Sequence, residues 1–249
     1  MLQNHFRSQN LNETDVSFFK TNGYLIKSQY LDADKLAPLK ENAGTYLSEF
    51  SKSKTISDSD FLYEDTSSTL RLVRNVHEKN SFFRELALGD DLISLAIQLT
   101  GHKPELLNTK LNFKNAFTGE QFDWHQDSIY LGCKNKNSIA FIIAVDEVTH
   151  ENGPMMIIPR SHEDGIIDVP HRDRMCEKDQ EQYPTARTKN LPLSLPNSVI
   201  KNSYDKNGIT SFVGKAGSLF AMHCSIFHAS NLNLSPSSRA SFLIRYKCG

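Results

Sequence analysis

The sequence predicts a mainly β protein, in which an antiparallel sandwich or barrel packs against helices. Three observations support this class. Beyond about residue 104, short apolar or alternating segments are separated by Gly, Pro, Asn and Ser, as is typical of antiparallel sheets. The first hundred residues show helical spacing of apolar residues instead. A length of 249 residues suits one large domain of this kind.

The predicted helical part begins with a capped helix and continues with a second one. Asn12 is placed to cap the first helix, Asp15 follows three residues later, and Gly23 ends it before a short strand. Asp32 can cap a second helix that extends to Phe50 and carries apolar residues along one side.

Two further segments complete this part. Residues 51–68 are rich in Ser, Asp and Thr and predict a mobile loop. Residues 80–100 predict a third helical stretch, which Gly89 interrupts and Gly101 ends.

The β part is predicted from seven segments. They are residues 105–114, 121–127, 138–146, 154–159, 217–223, 225–230 and 240–247. The long polar stretch 160–208, which contains several prolines, predicts a lid inserted over the mouth of the barrel. We therefore expect one domain over 1–249, in which mostly helical residues 1–104 support a β core over 105–249.

Composition restricts the possible partners. The formal net charge of −1 gives no basic footprint for nucleic acid or an anionic membrane. No apolar run approaches the roughly 18 residues of a membrane-spanning helix, and the first ten residues do not resemble a secretory signal. The four cysteines are widely spaced without a CxxC pair, which favours reduced thiols. We expect a cytoplasmic monomer or homodimer with a small-molecule substrate.

The strongest functional signal is the pattern His125-Gln126-Asp127, followed at a distance by His228 and Arg239. Two histidines and one carboxylate can hold Fe(II) on one face and leave the remaining positions open. A nearby buried arginine can bind the far carboxylate of 2-oxoglutarate through two parallel hydrogen bonds. The pattern therefore predicts an oxygen-activating iron enzyme.

An HxD pair alone is weak support, because the chain contains three of them. They are His125/Asp127, His162/Asp164 and His171/Asp173. The first pair ends a predicted strand, where residues i and i+2 point to the same face. The second pair predicts a turn and the third a solvated loop. We therefore choose His125 and Asp127 as ligands.

The third ligand can be His223 or His228, and we favour His228. His228 opens a predicted hairpin whose return strand begins at Arg239, so both side chains can point inward from facing strands. His223 has no such partner, and its alternative role is a hydrogen-bonded histidine of the barrel.

Several motifs together resemble the phytanoyl-CoA dioxygenase family of Fe(II)/2-oxoglutarate oxygenases. Residues 18–25 (FFKTNGYL) resemble the family's opening helix and strand, and residues 151–162 (ENGPMMIIPRSH) resemble its "NG…PGSH" segment, with Arg160 in the usual glycine's place. His228-Ala229-Ser230-Asn231 and Arg239 match its distal histidine and arginine. The resemblance covers nearly the whole chain and implies a double-stranded β-helix (jelly-roll, cupin-like) core.

Residues 111–125 (LNFKNAFTGEQFDWH) are similar to the ectoine-hydroxylase-like branch. By that resemblance, Asn112 and Ser230 join Arg239 in holding 2-oxoglutarate. Two positions depart from the branch: Leu131 stands where ectoine hydroxylases carry tryptophan, and Asn108 stands where they carry glutamine. Both departures put ectoine itself in doubt as substrate.

The predicted cofactors are Fe(II), 2-oxoglutarate and O₂, and the predicted reaction is hydroxylation of a small polar, amino-acid-like metabolite. Halogenation is disfavoured because halogenating relatives replace the acidic ligand, here Asp127, with Gly or Ala. Residues that can contact the substrate are Asn108, Lys110, Trp124, Leu131 and Arg160. Alternatives are an acyl-CoA or natural-product oxygenase, a non-oxidative cupin-type isomerase or hydrolase, and a barrel that only binds.

Overall fold

The computed structural model describes residues 11–50, 60–64, 69–129, 138–167, 169 and 194–249. Its α-helices are α1 (Glu13–Asn22), α2 (Ala33–Phe50), α3 (Val76–Lys79), α4 (Ser81–Leu88), α5 (Asp90–Thr100) and α6 (Asn197–Asn207). Short 3₁₀ turns cover Asp127–Ile129 and Ser161–Asp164. No helix within these described ranges is both long and apolar enough to cross a membrane.

The ends of α1 confirm the capping prediction. The Asn12 side chain accepts a hydrogen bond from the backbone N–H of Asp15, and the Asp15 carboxylate accepts one from the backbone N–H of Asn12. This capping box satisfies donors that the first turn leaves unpaired. Gly23 then ends the helix at φ 78°, in the left-handed region.

Eleven strands in the described ranges form two antiparallel sheets. They are β1 (Tyr24–Lys27), β2 (Phe61–Tyr63), β3 (Leu70–Arg74), β4 (Pro104–Lys114), β5 (Phe122–His125), β6 (Ile139–Ala144), β7 (Met155–Ile157), β8 (Thr210–Ser211), β9 (Leu219–His223), β10 (His228–Ser230) and β11 (Arg239–Cys248). The larger sheet has the order β1-β9-β6-β11-β4-β3-β2, and the smaller one has the order β5-β10-β7-β8. This architecture confirms the predicted double-stranded β-helix core with flanking helices.

Alternation along β11 determines what each face of the larger sheet contacts. Phe242 and Ile244 lie in a core cluster shared with the helices, and the Phe242 ring lies 4.9 Å from that of Phe83 in α4. Leu243 lies instead in a second cluster, with Ile142 and with Ile157 of the smaller sheet. Because side chains alternate between the faces of a strand, one face of β11 looks into the space between the two sheets.

Three segments differ from the sequence prediction. Part of 51–68 is strand β2, which pairs with β3 and extends the larger sheet. The strand predicted over 121–127 ends at His125, and Asp127 begins a 3₁₀ turn. The predicted lid over 160–208 contains helix α6, while residues 170–193 of it lie outside the described ranges.

Candidate metal centre

His125 and His228 are neighbours across the smaller sheet. They end β5 and begin β10, where they are register partners in an antiparallel pair. Their ring centroids lie 4.1 Å apart, and both residues are buried. The hairpin predicted between His228 and Arg239 is wrong, because β10 pairs with β5 and β7 in the smaller sheet, whereas Arg239 begins β11 in the larger sheet. The pairing of β10 with β5 is what places His228, rather than His223, opposite His125.

Asp127 completes a group of three side chains that could hold a metal ion. Its Oδ1 lies 3.8 Å from Nε2 of His125 and 3.7 Å from Nε2 of His228. The three candidate ligand atoms all lie within 4.8 Å of one another, and all three residues are buried. The 3₁₀ turn, rather than a longer strand, brings the carboxylate back toward the imidazoles.

The backbone fixes which nitrogen of each imidazole faces the cluster. Nδ1 of His125 lies 2.7 Å from the carbonyl oxygen of Asp123, and Nδ1 of His228 lies 3.0 Å from that of Ile226. A carbonyl oxygen only accepts, so each Nδ1 carries the proton and donates. Each neutral ring therefore presents the lone pair of Nε2 to the space beside Asp127, as a metal ligand requires.

The protonation states also suit a cation. Burial, and next to it the neighbouring His228, lower the pKa of His125 to about 3, and burial also lowers the pKa of His228. Burial alone would raise the pKa of Asp127, but Arg245 and the two imidazoles hold it well below its usual value. At neutral pH the cluster is two neutral imidazoles and one carboxylate, which are the forms that bind metal.

Arg245 contacts the acidic member of the cluster directly. Its Nε donates to Oδ2 of Asp127 at 2.6 Å, and its Nη2 donates to Oδ1 at 2.7 Å. Its Nη1 donates to Oδ1 of Asn108 at 3.3 Å. Both ends of the ion pair are buried, with side-chain exposures of 6% for Arg245 and 5% for Asp127.

Gln126, between His125 and Asp127, is fully buried and directs its amide to backbone groups of other segments. Its amide nitrogen donates to the carbonyl oxygens of Gly165 at 2.7 Å and Ser225 at 2.6 Å. Its amide oxygen accepts from the backbone N–H of Ile167 at 2.9 Å. The residue therefore joins the ligand-bearing turn to the segment after the second 3₁₀ turn and to the β9–β10 connection.

Arg239 lies on the same face of β11 as Arg245, six residues earlier. It is 8% exposed, and burial lowers its pKa to about 10. Its Nε donates to the carbonyl oxygen of Asn152 at 3.0 Å, and its Nη2 donates to that of Gly153. A Cβ on Gly153 would lie 2.6 Å from the Asn231 carbonyl oxygen, so this close approach requires glycine.

The other two predicted 2-oxoglutarate contacts also lie near this region. Ser230 follows the ligand His228 by two residues in β10, and its buried Oγ has no hydrogen-bond partner among the described residues. Asn112 pairs with Ser241 of β11, two residues after Arg239. A buried hydroxyl without a partner needs an explanation, and an oxygen-rich cosubstrate is a ligand that fits it.

Two of the predicted substrate contacts lie on the inner face of β4. Asn108 pairs in register with Arg245, and Lys110 pairs with Leu243. Lys110 is half-buried, and burial together with the charge of Arg245 lowers its pKa to about 7.

Of the other three candidates, Trp124 and Arg160 are not brought to the cluster. Trp124 packs with a small cluster that includes Leu195 and Phe227, and strand alternation turns it from the face of His125. Arg160 is half exposed and pairs with Glu163 at 3.2 Å, at φ 64° where the family carries glycine. Leu131 lies outside the described ranges.

The rejected ligand candidates have other surroundings. The rings of His223 and His162 lie 5.2 Å apart, and Nδ1 of His223 accepts from the backbone N–H of Ser225. Asp164 accepts from the Ser203 hydroxyl at 2.9 Å. The pair His171/Asp173 lies outside the described ranges.

Two basic residues of this region, Arg245 and Lys114, were not predicted from sequence. Arg245 shares the strand parity of Arg239 and lies opposite Asn108, so the alternation of β11 could have indicated it. Lys114 is buried opposite Arg239, donates to the carbonyl oxygen of Asn231, and has a pKa lowered to about 6 by burial and by Arg239. In the run Asn112-Phe113-Lys114, strand alternation places Lys114 on the same face as Asn112, which could have indicated it.

Residues 19–241 match the model of the family described as phytanoyl-CoA dioxygenase (PhyH). An ectoine dioxygenase from Sphingopyxis alaskensis is 25% identical over 236 residues, which cover 92% of this chain and 73% of that protein. An L-proline trans-4-hydroxylase from Streptomyces griseoviridis is 30% identical over 188 residues, covering 74% of this chain and 69% of that protein.

Solved structures of similar fold include several 2-oxoglutarate enzymes. EctD from S. alaskensis with 2-oxoglutarate and 5-hydroxyectoine superposes with a TM-score of 0.77 at 24% identity, covering 98% of this chain and 80% of that one. The carbocyclase SnoK from nogalamycin biosynthesis has a TM-score of 0.68 at 18% identity, covering 96% and 85%. At these identities the likeness supports the fold.

Proposed function

Because the chain belongs to the phytanoyl-CoA dioxygenase (PhyH) family, we propose that it is an Fe(II)/2-oxoglutarate-dependent dioxygenase. The observation that carries the proposal is the buried group of His125, Asp127 and His228. Two neutral imidazoles and one carboxylate on one face are the donor set of non-haem Fe(II) oxygenases. In this proposal these three residues hold the iron and leave its other positions to cosubstrate and O₂.

The second part of the proposal concerns 2-oxoglutarate. Arg239 binds its distal carboxylate, and Ser230 and Asn112 contribute polar contacts. A buried guanidinium, whose hydrogen bonds are charge-assisted and little screened, supports this role, as does the buried Ser230 hydroxyl without a partner in the described ranges. When bound together, iron and 2-oxoglutarate would activate O₂, of which one atom enters succinate as CO₂ is released and the other hydroxylates the substrate.

We further propose that the substrate is a small polar, amino-acid-like metabolite. The similar ectoine dioxygenases and L-proline trans-4-hydroxylase support this class, since their names specify such substrates. Lys110, half-buried on the inner face of β4, offers a basic side chain for a substrate carboxylate. Asn108 lies two residues earlier in the strand, on the same face. Trp124, Leu131 and Arg160 remain weaker candidates for substrate contact.

The proposal is tested by 2-oxoglutarate decarboxylation in the presence of amino acids and cyclic amino-acid derivatives. Succinate release should require Fe(II) and rise with the true substrate. It should fall by at least about 100-fold in Asp127→Ala, because that change removes one of three iron ligands. A His223→Gln variant, altered outside the cluster, serves as the matched control and should retain activity.

The opposite results would overturn the proposal. Undiminished succinate release in Asp127→Ala would rule out the assigned ligands. Turnover of a substrate with Zn(II) or Mn(II) and without 2-oxoglutarate would instead identify a non-oxidative cupin-type metalloenzyme.

We propose further that the chain works as one domain, as a monomer or homodimer in the cytoplasm, without a nucleic-acid partner. Shared strands support the single domain, since β1, β2 and β3 from the N-terminal part belong to the same sheet as β4, β6, β9 and β11. A formal net charge of −1 supports the last point.

A further inference from the structure

Arg245 occupies one edge of the Asp127 carboxylate. Its Nε and Nη2 donate to Oδ2 and Oδ1 at 2.6 and 2.7 Å, so each oxygen accepts one bond from the same planar group. Paired bonds of this kind fix direction as well as distance. The guanidinium therefore sets the rotation of the carboxylate as well as balancing its charge.

The remaining acceptor sites of Asp127 are not equivalent. A carboxylate offers about four acceptor sites, two on each oxygen. Arg245 uses one on each oxygen, along the edge that joins them. Oδ1 is the oxygen that faces the imidazoles, 3.8 Å from Nε2 of His125 and 3.7 Å from Nε2 of His228. An ion chelated by both oxygens would have to lie on the edge where Arg245 lies.

We propose that Arg245 is a positioning residue that makes Asp127 a one-oxygen ligand through Oδ1. Two-oxygen coordination would consume a further position of the ion. By preventing it, Arg245 preserves that position for the cosubstrate or O₂. This inference rests on the proposed iron site, and it concerns a residue outside the three ligands.

The strand that carries Arg245 is built to hold it in place. β11 lies inside the larger sheet between β4 and β6, where Arg245 is paired with Asn108 on one side and Ala140 on the other. The Asn108 side chain accepts a hydrogen bond from Nη1 at 3.3 Å. The β11–β4 register shifts between Arg245 and Tyr246. Such bulges commonly re-aim a side chain beside an active site.

Arg245 could have the simpler role of a counter-charge to Asp127. Substitutions separate that role from positioning. Arg245→Lys keeps a cation beside Asp127 but has no fork, whereas Arg245→Gln removes the charge. Lys110→Met is the matched charge control, because Lys110 influences the pKa of Asp127 while no hydrogen bond in the described ranges joins the two. If charge alone mattered, losing either cation would strengthen binding of a divalent ion.

The experiment is a Co(II) titration of the metal-stripped proteins, followed by visible absorption, which reports the number of ligands around Co(II). We expect the Co(II) spectra of Arg245→Lys and Arg245→Gln to differ from that of the wild type, because a carboxylate without the fork can bind Co(II) through both oxygens. Lys110→Met should bind Co(II) at least as tightly as the wild type, with an unchanged spectrum.

Several results would overturn the inference. Wild-type affinity and spectrum in Arg245→Lys would show that the fork is dispensable. An altered affinity with the wild-type spectrum in the Arg245 variants, or the same spectral change in Lys110→Met, would show an effect of charge alone. Failure of the wild type to bind Co(II) would overturn the iron site as well. Arg245→Lys keeps Asp127 next to a cation, so it provides a folded variant even if Arg245→Gln unfolds.

Discussion

Each histidine of the candidate iron site is fixed through its far nitrogen. The carbonyl oxygens of Asp123 and Ile226 hold the two Nδ1 atoms, and both carbonyls belong to residues two positions before the histidine. The same local geometry therefore recurs in β5 and β10. It orients both Nε2 atoms before any ion arrives, which lowers the entropic cost of assembling the site.

The candidate ligands could be predicted from sequence, whereas the contact of Arg245 with Asp127 could not. The sequence spacing of His125, Asp127 and His228 is itself a recognisable pattern. The role of Arg245 depends on the way the 3₁₀ turn folds Asp127 back toward β11, which is a tertiary contact between residues 118 positions apart. Sequence alternation predicts only that Arg245 shares a face with Arg239.

At the residue scale, Arg239 provides a separate prediction about the cosubstrate. Arg239→Gln should raise the 2-oxoglutarate concentration needed for half-maximal succinate release by at least about 10-fold, because a charge-assisted contact contributes about 1.5–3 kcal/mol. Fe(II) affinity in the absence of 2-oxoglutarate should change much less. Steady-state kinetics and an Fe(II) titration give the two numbers.

Arg84→Gln is the matched control for this variant. Arg84 also donates to two backbone carbonyls, those of His77 and Glu78, but it lies on the exposed surface of α4. It should leave the 2-oxoglutarate requirement unaltered. An equal requirement in Arg239→Gln and the wild type would place the anchor on another side chain, with Lys114 as the next candidate.

At the scale of elements, the site depends on short strands joined by side-chain bonds rather than on long ladders. β5 and β10 contain four and three residues. Between the ligands, Gln126 satisfies backbone groups of Gly165, Ile167 and Ser225. Its amide thus holds together three connections that the sheet itself does not pair.

Replacing that amide should destabilise the fold. Gln126→Met retains the volume but leaves two carbonyl groups and one N–H without a partner. Each orphaned group costs about 1–3 kcal/mol, so the free energy of unfolding should fall by about 3 kcal/mol or more. Urea denaturation of the metal-free protein measures it. Gln121→Met, at an exposed position, should stay within about 0.5 kcal/mol of the wild type; an equally small effect of Gln126→Met would refute the clamp.

Element prediction failed where pairing rather than local sequence decides the structure. The segment Phe61–Tyr63 is a strand because β3 lies beside it, and its flanks are rich in residues that favour loops. The strand predicted over 121–127 ended early because Asp127 turns toward the cluster. By contrast, α1 was predicted accurately, since its capping box and its terminal glycine act locally.

At the scale of the whole molecule, the two faces of β11 carry different side chains, apolar toward the helices and basic toward the space between the sheets. Phe242 and Ile244 of β11 pack toward the helices, while Arg239 and Arg245 face the space between the sheets. This fold class could be predicted because alternating strands and capped helices both leave recognisable patterns in the sequence. The convergence of β5, β10 and β11 on one point follows from closure of the barrel, which no local pattern specifies.

The charge distribution of the interior follows from the same closure. Lys110, Lys114, Arg239 and Arg245 come from two adjacent strands and face inward, and Asp127 lies among them. Such a basic interior favours small anionic ligands, since the two arginines are charged and a bound anion would raise the lowered pKa values of the two lysines. It suits a dianionic cosubstrate and a substrate that carries a carboxylate.

Anaerobic absorption spectroscopy of the protein with Fe(II) and 2-oxoglutarate tests the iron site most directly. We expect the visible charge-transfer band of an Fe(II)–2-oxoglutarate chelate in the wild type and in His223→Ala. That band should be lost in His228→Ala. A band that persists in His228→Ala, or one that disappears in His223→Ala, would contradict the assignment of the iron ligands.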